Sequence, residues 1–153
     1  MSEYYTTKLA EGSAFEKFVY SVLRRMGLII TRPHTTKGMQ LKGENSIGWE
    51  IKYDNLMTET GNVYIETAEK SDPRNATYIK SGVYRDDNTW MWVIGDYSEL
   101  FIIQKNLLKM LIETGRYRKI ENKRRSSMGY LIPKKVIRKY AGIVIHPDSS
   151  GIT

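Results

Sequence analysis

The sequence predicts an α/β (α+β) fold in which a mixed β-sheet is flanked by helices. The chain has 153 residues, a length that suits one hydrophobic core. Hydrophobic residues make up 41% of it, which is typical of globular proteins. Segments with helical spacing of apolar residues alternate along the chain with strand-like segments. We therefore expect residues 1–153 to form a single domain.

A capping box marks the first predicted helix. Ser13 and Glu16 have the spacing at which a serine N-cap and a glutamate satisfy each other's backbone amides. Apolar residues recur at helical spacing from Phe15 onward. Gly27 is then expected to end the helix in the left-handed conformation. A short β-prone run follows at residues 28–31.

The next elements are predicted as strands. Residues 49–53 alternate, so that their apolar side chains share one face and Glu50 and Lys52 share the other. Residues 62–67 alternate in the same way. Residues 90–94 are apolar on both faces, which indicates a central strand covered on both sides. Trp90 and Trp92 are therefore both predicted to lie in the core.

The second half of the chain continues the mixed pattern. Residues 100–103 are predicted to pair with the preceding strand as a hairpin. Asn106 is expected to cap a second helix, which Gly115 ends. The remaining predicted elements are a strand at 130–132, a short helix at 134–141, a last strand at 143–145 and a C-terminal tail that frays.

Charge and composition narrow the possible functions. Lys and Arg number 24 against 17 Asp and Glu, and a net charge of +7 favours a polyanionic partner. The absence of cysteine excludes disulfides and thiolate zinc sites. With only two histidines, a metal would be a hard, oxygen-bound ion such as Mg²⁺ or Mn²⁺. No apolar run is long enough for a membrane span and no signal peptide is evident, so we expect a cytoplasmic protein without a membrane partner.

One short pattern points to chemistry. Glu50 and Lys52 lie two positions apart on a strand, so both side chains leave the same face. A carboxylate can hold a divalent ion for phosphodiester hydrolysis, while an ammonium can orient water or balance charge on the phosphate. A second carboxylate is needed, and Glu44 lies across a turn from this strand. The alternative is that both charges simply face solvent from a half-exposed strand.

These residues resemble the Glu-x-Lys half-motif of the PD-(D/E)XK, or restriction-endonuclease-like, nuclease superfamily, in its phage and bacterial form. The resemblance covers residues 13–104 and implies a core of a helix, three antiparallel strands, a helix and a further strand. It implies that Glu44 and Glu50, with the main-chain carbonyl of Ile51, hold the metal. It also implies that Lys52 positions the attacking water.

The chain departs from the superfamily pattern at the first acid. Gln40 occupies the position ten residues before Glu50, where the superfamily usually has an aspartate. Three explanations for the missing aspartate stay open. Glu44 replaces that acid, Asp54 or Glu66 completes the site, or the site is degenerate.

Two further glutamates have a functional and an ordinary interpretation. Some junction-resolving relatives donate an acid from the first helix, which would be Glu16, although the capping box already accounts for that residue. Glu66 corresponds to the extra polar residue that some relatives place on the strand after Glu-x-Lys. Its ordinary interpretation is an outward charge near a strand end. Both residues are retained as candidate catalytic groups.

A basic segment at residues 116–139 completes the site predictions. Six cations within residues 116–125 are predicted to contact DNA phosphates. The patch would be extended by Lys134, Lys135, Arg138 and Lys139. The alternative is a solvated loop and helix face. The six cations are Arg116, Arg118, Lys119, Lys123, Arg124 and Arg125. The sequence thus predicts a Mg²⁺-dependent endonuclease acting on DNA. The alternatives are an inactive, nuclease-fold module that binds nucleic acid and a basic protein that binds an acidic partner. A homodimer would suit cleavage of both strands.

Overall fold

The structure, a computed structural model, describes residues 3–28 and 48–147. Its helices are α1 (Glu3–Arg25), α2 (Met57–Thr60), α3 (Lys105–Thr114) and α4 (Lys134–Tyr140), with a 3₁₀ turn at Gly82–Tyr84. Its strands are β1 (Trp49–Tyr53), β2 (Asn62–Glu69), β3 (Ile79–Lys80), β4 (Met91–Gly95), β5 (Leu100–Gln104), β6 (Arg118–Glu121), β7 (Ser127–Pro133) and β8 (Ile143–Ile145). The predicted mixed α/β class is confirmed.

The described strands form two four-stranded sheets. The first sheet has the order β1-β4-β5-β8, and the second has the order β3-β2-β7-β6. Strand β1 runs parallel to β4, while β4, β5 and β8 pair antiparallel. Every pair in the second sheet is antiparallel. The single mixed sheet predicted from the sequence is therefore divided in two, because β2 pairs with β7 rather than with β1.

The first sheet lies between two apolar clusters. On one face, α1 packs Phe15, Val19 and Leu23 against residues such as Val93 of β4. On the other face, Trp92 and its neighbours pack against the second sheet and against α3 and α4. Strand β4 is covered on both faces, as its continuous apolar sequence predicts. Trp90 is the exception, because it precedes β4 and is 51% exposed, so its prediction as a core residue is wrong.

The first helix is longer than the sequence predicts. It begins at Glu3, so Ser13 lies in its interior and the predicted capping box is wrong. Its predicted end is confirmed. Gly27 has a φ of +80°, and the amides of Gly27 and Leu28 donate to the carbonyls of Arg24 and Leu23, both at 2.9 Å. This is the Schellman arrangement, which satisfies carbonyls that a helix end leaves unpaired.

Other predicted elements hold in part. The hairpin of β4 and β5, the last strand and the short helix before it are confirmed. The helix predicted to start after an Asn106 cap begins at Lys105 instead, with Gln104 at the N-cap position. Part of the basic segment forms β6 rather than a loop. In the described ranges, no helix combines the length and the apolar composition needed to cross a bilayer.

Several predictions fall on residues whose structure is not described. These are the β-prone run at 28–31 beyond its first residue, Gln40, Glu44 and the tail after residue 147. They stay predictions from the sequence.

Candidate active site

Glu50 and Lys52 form an ion pair on β1. Lys52 Nζ lies 2.7 Å from Glu50 Oε1. Glu50 is only 4% exposed, whereas the Lys52 side chain is 32% exposed. The register pairs these residues with Trp92 and Ile94 of β4, so the ion pair shares the face of the first sheet that is turned to the second sheet. The predicted arrangement on one face is confirmed, but Glu50 does not face open solvent.

Both ends of β1 are fixed by backbone contacts. At its start, Gly48 has a φ of +76°, and a Cβ there would lie 2.6 Å from the carbonyl oxygen of Asn88. The Trp90 amide donates to the Gly48 carbonyl at 2.9 Å. At the other end, the amide of Asp54 donates to the Gly95 carbonyl at 2.8 Å. Only glycine fits at position 48 without strain. Gly48 therefore helps to fix the start of β1 and the position of the ion pair on that strand.

Asp54 serves the turn that follows β1. Its carboxylate accepts hydrogen bonds from the amides of Tyr64, at 2.8 Å, and Leu56, at 3.1 Å. Burial raises the pKa of this carboxyl, and the backbone hydrogen bonds oppose that effect. Asp54 thus joins β1 to β2 and fixes the spacing between the two sheets at this point.

Glu16 lies in the same electrostatic environment as the ion pair. It is half-buried on α1. Burial raises the pKa of Glu16, the Lys52 ammonium lowers it, and the Glu50 carboxylate raises it again. Because Ser13 lies inside the helix, the capping role predicted for Glu16 is wrong, and its catalytic role stays a prediction.

The carboxylate of Glu66, on β2, accepts hydrogen bonds from two serine hydroxyl groups. Its Oε1 accepts a hydrogen bond from Ser127 Oγ at 2.8 Å, and its Oε2 accepts one from Ser81 Oγ at 2.9 Å. The Tyr64 hydroxyl lies 2.7 Å from the same Ser127 Oγ. Glu66 is therefore not simply an outward charge, since both of its oxygens are engaged.

A cavity of about 640 Å³ is lined by Lys52, Asp54 and Glu66, whereas Glu50 and Glu16 do not line it. Lys52 and Glu66 line it together with Trp92 and Tyr64. Lys52 Nζ is 5.6 Å from the centre of the Trp92 ring, which places the cation over an aromatic face. The cavity thus brings the predicted lysine of β1 and the predicted glutamate of β2 to one space.

The basic segment divides into two parts. Lys123 and Arg124, at the turn between β6 and β7, line the cavity. The remaining predicted contacts of this segment, Arg116, Arg118, Lys119 and Arg125, do not line it. Arg125 instead lies 3.5 Å from Glu121, and Lys119 lies 6.0 Å from the centre of the Tyr130 ring. Two of the six residues predicted to contact phosphate therefore lie at this cavity, and all six contacts stay predictions.

Two residues of α4 that were predicted to extend the basic patch pair with a buried carboxylate. Lys134 and Arg138 both pair with Glu99, at 3.2 and 3.0 Å. Glu99 is 4% exposed, and His146 Nε2 lies 2.7 Å from its Oε2. Lys134 and Arg138 therefore neutralise a buried carboxylate, and their predicted contact with phosphate stays a prediction.

The sequence analysis did not predict most of the residues that line the cavity, and Tyr4 and Lys8 are two of these. Tyr4 and Lys8 line its rim from the first turns of α1, and the centre of the Arg124 guanidinium lies 3.6 Å from the centre of the Tyr4 ring. Residues 3–12 contain no proline and one glycine, so an earlier helix start was compatible with the sequence. The capping-box pattern drew the predicted start to Ser13 instead.

Two carboxylates among the described residues have the chemistry of metal ligands. Among them, no group of three or more histidine, aspartate or glutamate side chains is arranged to hold a metal ion. Glu50 and Glu16 are carboxylates, the ligand type that Mg²⁺ and Mn²⁺ prefer. Glu44, the predicted further ligand, lies outside the described residues. The donor chemistry thus fits a hard divalent ion.

Comparison of the chain with models of known protein families, with curated proteins and with solved structures finds no match. The resemblance to the PD-(D/E)XK superfamily therefore stays a prediction.

Proposed function

We propose that the protein is a Mg²⁺- or Mn²⁺-dependent nuclease that cleaves DNA, with Glu50 and Lys52 as its central catalytic pair. One observation carries the proposal. A carboxylate that is 4% exposed is held 2.7 Å from an ammonium group, and that lysine lines a cavity with further cations at its rim. Buried ion pairs contribute little net stability, so such a pair beside a cavity is better explained by chemistry.

The chain's own groups divide the work of phosphodiester hydrolysis. Glu50, with Glu16 and the predicted ligand Glu44, would hold the metal, aided by the Ile51 carbonyl. When bound, that ion supplies polarisation of a phosphate oxygen and a lowered pKa for bound water. Lys52, held in place by Glu50, orients water and offsets the negative charge that grows on the phosphate.

The rim of the cavity favours a phosphate backbone. Lys123 and Arg124 line it at the β6–β7 turn, and Lys8 of α1, which also pairs with Glu11 at 3.0 Å, lines it from the other side. Each phosphate that such a cation neutralises releases a counterion, which strengthens binding at low salt. The net charge of +7 acts in the same direction over a longer range.

The test is cleavage of labelled DNA by the purified protein, with Mg²⁺ and with a chelator. We expect cleavage only with the metal, and we expect Glu50→Gln and Lys52→Ala to lose it while circular dichroism shows a folded chain. Exposed residues away from the cavity, changed as Glu59→Gln and Lys80→Ala, are the matched controls. Normal cleavage by Lys52→Ala would contradict the proposal.

The second candidate is a nuclease-fold module that binds nucleic acid without cutting it. It is favoured by Glu66, whose two oxygens already accept hydrogen bonds from Ser127 and Ser81. Such a module would bind DNA equally well with a metal or a chelator and would leave it intact. Its affinity would fall with Lys123→Gln but not with Glu50→Gln.

Two further parts of the proposal have separate tests. We place the protein in the cytoplasm, in keeping with its cysteine-free sequence, and cell fractionation would test this. Cleavage of both strands of a duplex would require two sites, which a homodimer would supply. Sedimentation at several protein concentrations would reveal that dimer.

A further inference from the structure

We infer that the outer edge of β6 receives an acidic peptide as an additional strand of the second sheet. The inference goes beyond the proposed function and does not depend on it. Strand β6 ends the order β3-β2-β7-β6, so among the described strands only β7 pairs with it. The residues of β6 are exposed except for Ile120, which is partly buried. The second sheet therefore ends in an accessible strand.

The pairing with β7 determines which backbone groups of β6 point outward. The amide of Asn122 donates to the carbonyl of Ser127, the residue directly opposite in the register, at 2.9 Å. Hydrogen-bonded and non-hydrogen-bonded pairs alternate along an antiparallel ladder, so the backbone of Ile120 also bonds to β7. Lys119 and Glu121 have the other orientation, and their amides and carbonyls are directed away from β7.

These outward groups form a template for a peptide strand. Within the ranges that the structure describes, neither the amide of Lys119 nor that of Glu121 has a hydrogen-bond partner. Each of these residues offers one donor and one acceptor at the same edge. A peptide strand supplies both complementary groups. A phosphate backbone supplies acceptors for the amides but leaves the carbonyls to water.

The charges along this edge favour an acidic strand. Arg118 on β6, and Arg116 and Lys123 on either side of it, are exposed. In the described part of the chain, none of these three cations forms an ion pair or a ring contact. Glu121 is the one acid of β6, and the Tyr78 hydroxyl donates a hydrogen bond to it. The edge thus presents cations that have no carboxylate of their own.

A second copy of the chain is a poorer occupant of this edge. It would bring the same cations of both copies together, and like charges on opposed strands are destabilising. Exposed cations on an edge strand in general deter pairing with neutral or basic strands. An acidic strand converts this repulsion into attraction, because alternate carboxylates would lie on the face of the sheet that carries Arg118.

The first test is binding of a labelled synthetic peptide that alternates glutamate with valine, followed by fluorescence anisotropy. We expect saturable binding that Lys119→Pro weakens about tenfold relative to Lys119→Ala, the scale of one lost backbone hydrogen bond. Both variants remove the same charge, but proline also removes the outward amide. Proline is tolerated on an edge strand where its nitrogen faces solvent, and circular dichroism checks the fold.

Two controls separate strand addition from simple attraction between opposite charges. The same peptide with glutamine in place of glutamate should bind more weakly to the wild-type protein. Arg118→Gln should weaken binding of the glutamate peptide, whereas Lys80→Gln, on β3 at the opposite end of the sheet, should not. No saturable binding of the glutamate peptide, or equal binding by Lys119→Pro and Lys119→Ala, would overturn the inference.

A second test uses the wild-type chain alone. Hydrogen exchange followed by NMR should show the amides of Lys119 and Glu121 exchanging quickly in the free protein and slowly with the peptide. The amide of Ile120, bonded to β7, should be protected in both states. Unchanged exchange of Lys119 and Glu121 with the peptide would contradict the inference. So would their protection without peptide in a sample that sedimentation shows to be dimeric, since a second copy would then fill the edge.

Discussion

Two buried carboxylates, Glu50 on β1 and Glu99 immediately before β5, are alike in exposure and differ in their surroundings. Each is 4% exposed. Glu50 pairs with Lys52 on its own strand at 2.7 Å. Glu99 pairs with Lys134, Arg138 and His146, which lie on α4 and after β8.

The difference separates a structural role from a chemical one. Burial disfavours ionisation of Glu99, but its hydrogen bonds from His146, Arg138 and Lys134 outweigh this and lower its pKa. These bonds join elements that are distant in sequence. The Glu50–Lys52 ion pair is formed between two residues of the same strand, so this contact does not itself link distant elements. It lies instead beside a cavity, where a held charge can act on a ligand.

Removing Glu99 gives the largest expected loss of stability. In Glu99→Ala, the cations of α4 lose their carboxylate and β5 loses its connection to that helix. We expect the free energy of unfolding to fall by about 3–5 kcal/mol, the usual cost of breaking a buried ion pair. Urea unfolding followed by circular dichroism measures it. A loss below about 1 kcal/mol, the range of exposed ion pairs, would contradict the structural role of Glu99.

Glu50→Gln should reduce DNA cleavage strongly and the free energy of unfolding only slightly. The amide keeps the shape of the side chain, and Lys52 is exposed enough to remain hydrated. We expect cleavage to fall by about 10²–10³-fold, as when one transition-state contact is removed, with a smaller change in stability than in Glu99→Gln. Single-turnover cleavage and urea unfolding of both variants check this. Equal effects of the two substitutions on cleavage would contradict the division of roles.

The pH dependence of the free energy of unfolding should show the contribution of Glu99 and its cationic partners. Because the folded protein lowers the pKa of Glu99, this group contributes stability above its ordinary pKa of 4.5 and loses it as the pH falls through the lowered value. Asp96 follows the same sign, since hydrogen bonds from Thr58 and Ser98 outweigh the effect of burial on its pKa. The decline in unfolding free energy below pH 4.5 should therefore be shallower in Glu99→Gln and should not disappear. An unchanged decline would be inconsistent with this account.

The salt dependence of DNA binding tests whether the cations that line the cavity contact phosphates. Lys123→Gln and Arg124→Gln should each reduce the slope of log affinity against log salt by about 1, because each removes one phosphate contact. Arg116→Gln, outside the cavity, should change the slope less. Titrations in a chelator at several salt concentrations measure this. Equal slopes for all three variants would point to diffuse binding along the whole basic segment.

The smallest expected effect concerns Ser13. Loss of a true N-cap costs about 1 kcal/mol, whereas an exposed residue inside a helix changes stability by less than about 0.5 kcal/mol. Because α1 begins at Glu3, we expect Ser13→Ala to fall in the second range. The result matters for Glu50, since Glu16 is available to it only if no capping box forms. Urea unfolding that shows a full cap loss would restore the capping role.

Local pattern predicted the elements better than it predicted their pairing. The alternation at residues 49–53 correctly gave β1 and the shared face of Glu50 and Lys52, because side-chain direction in a strand depends only on neighbours. The assignment of β2 to a second sheet depends on its pairing with β7, which is far away in sequence. The local sequence of either strand does not reveal that pairing. The partners of Glu99 were missed for the same reason. Lys134 and Arg138 look like a solvated helix face until the fold brings Glu99 beneath them.

Calorimetric titration with Mn²⁺ tests the central claim, that Glu50 belongs to a metal-dependent site and Glu99 does not. We predict saturable binding to the wild-type protein and to Glu99→Gln, provided that this variant is folded under the conditions used. We predict that Glu50→Gln loses the binding. No saturable binding by the wild-type protein, or unchanged binding by Glu50→Gln, would contradict the account.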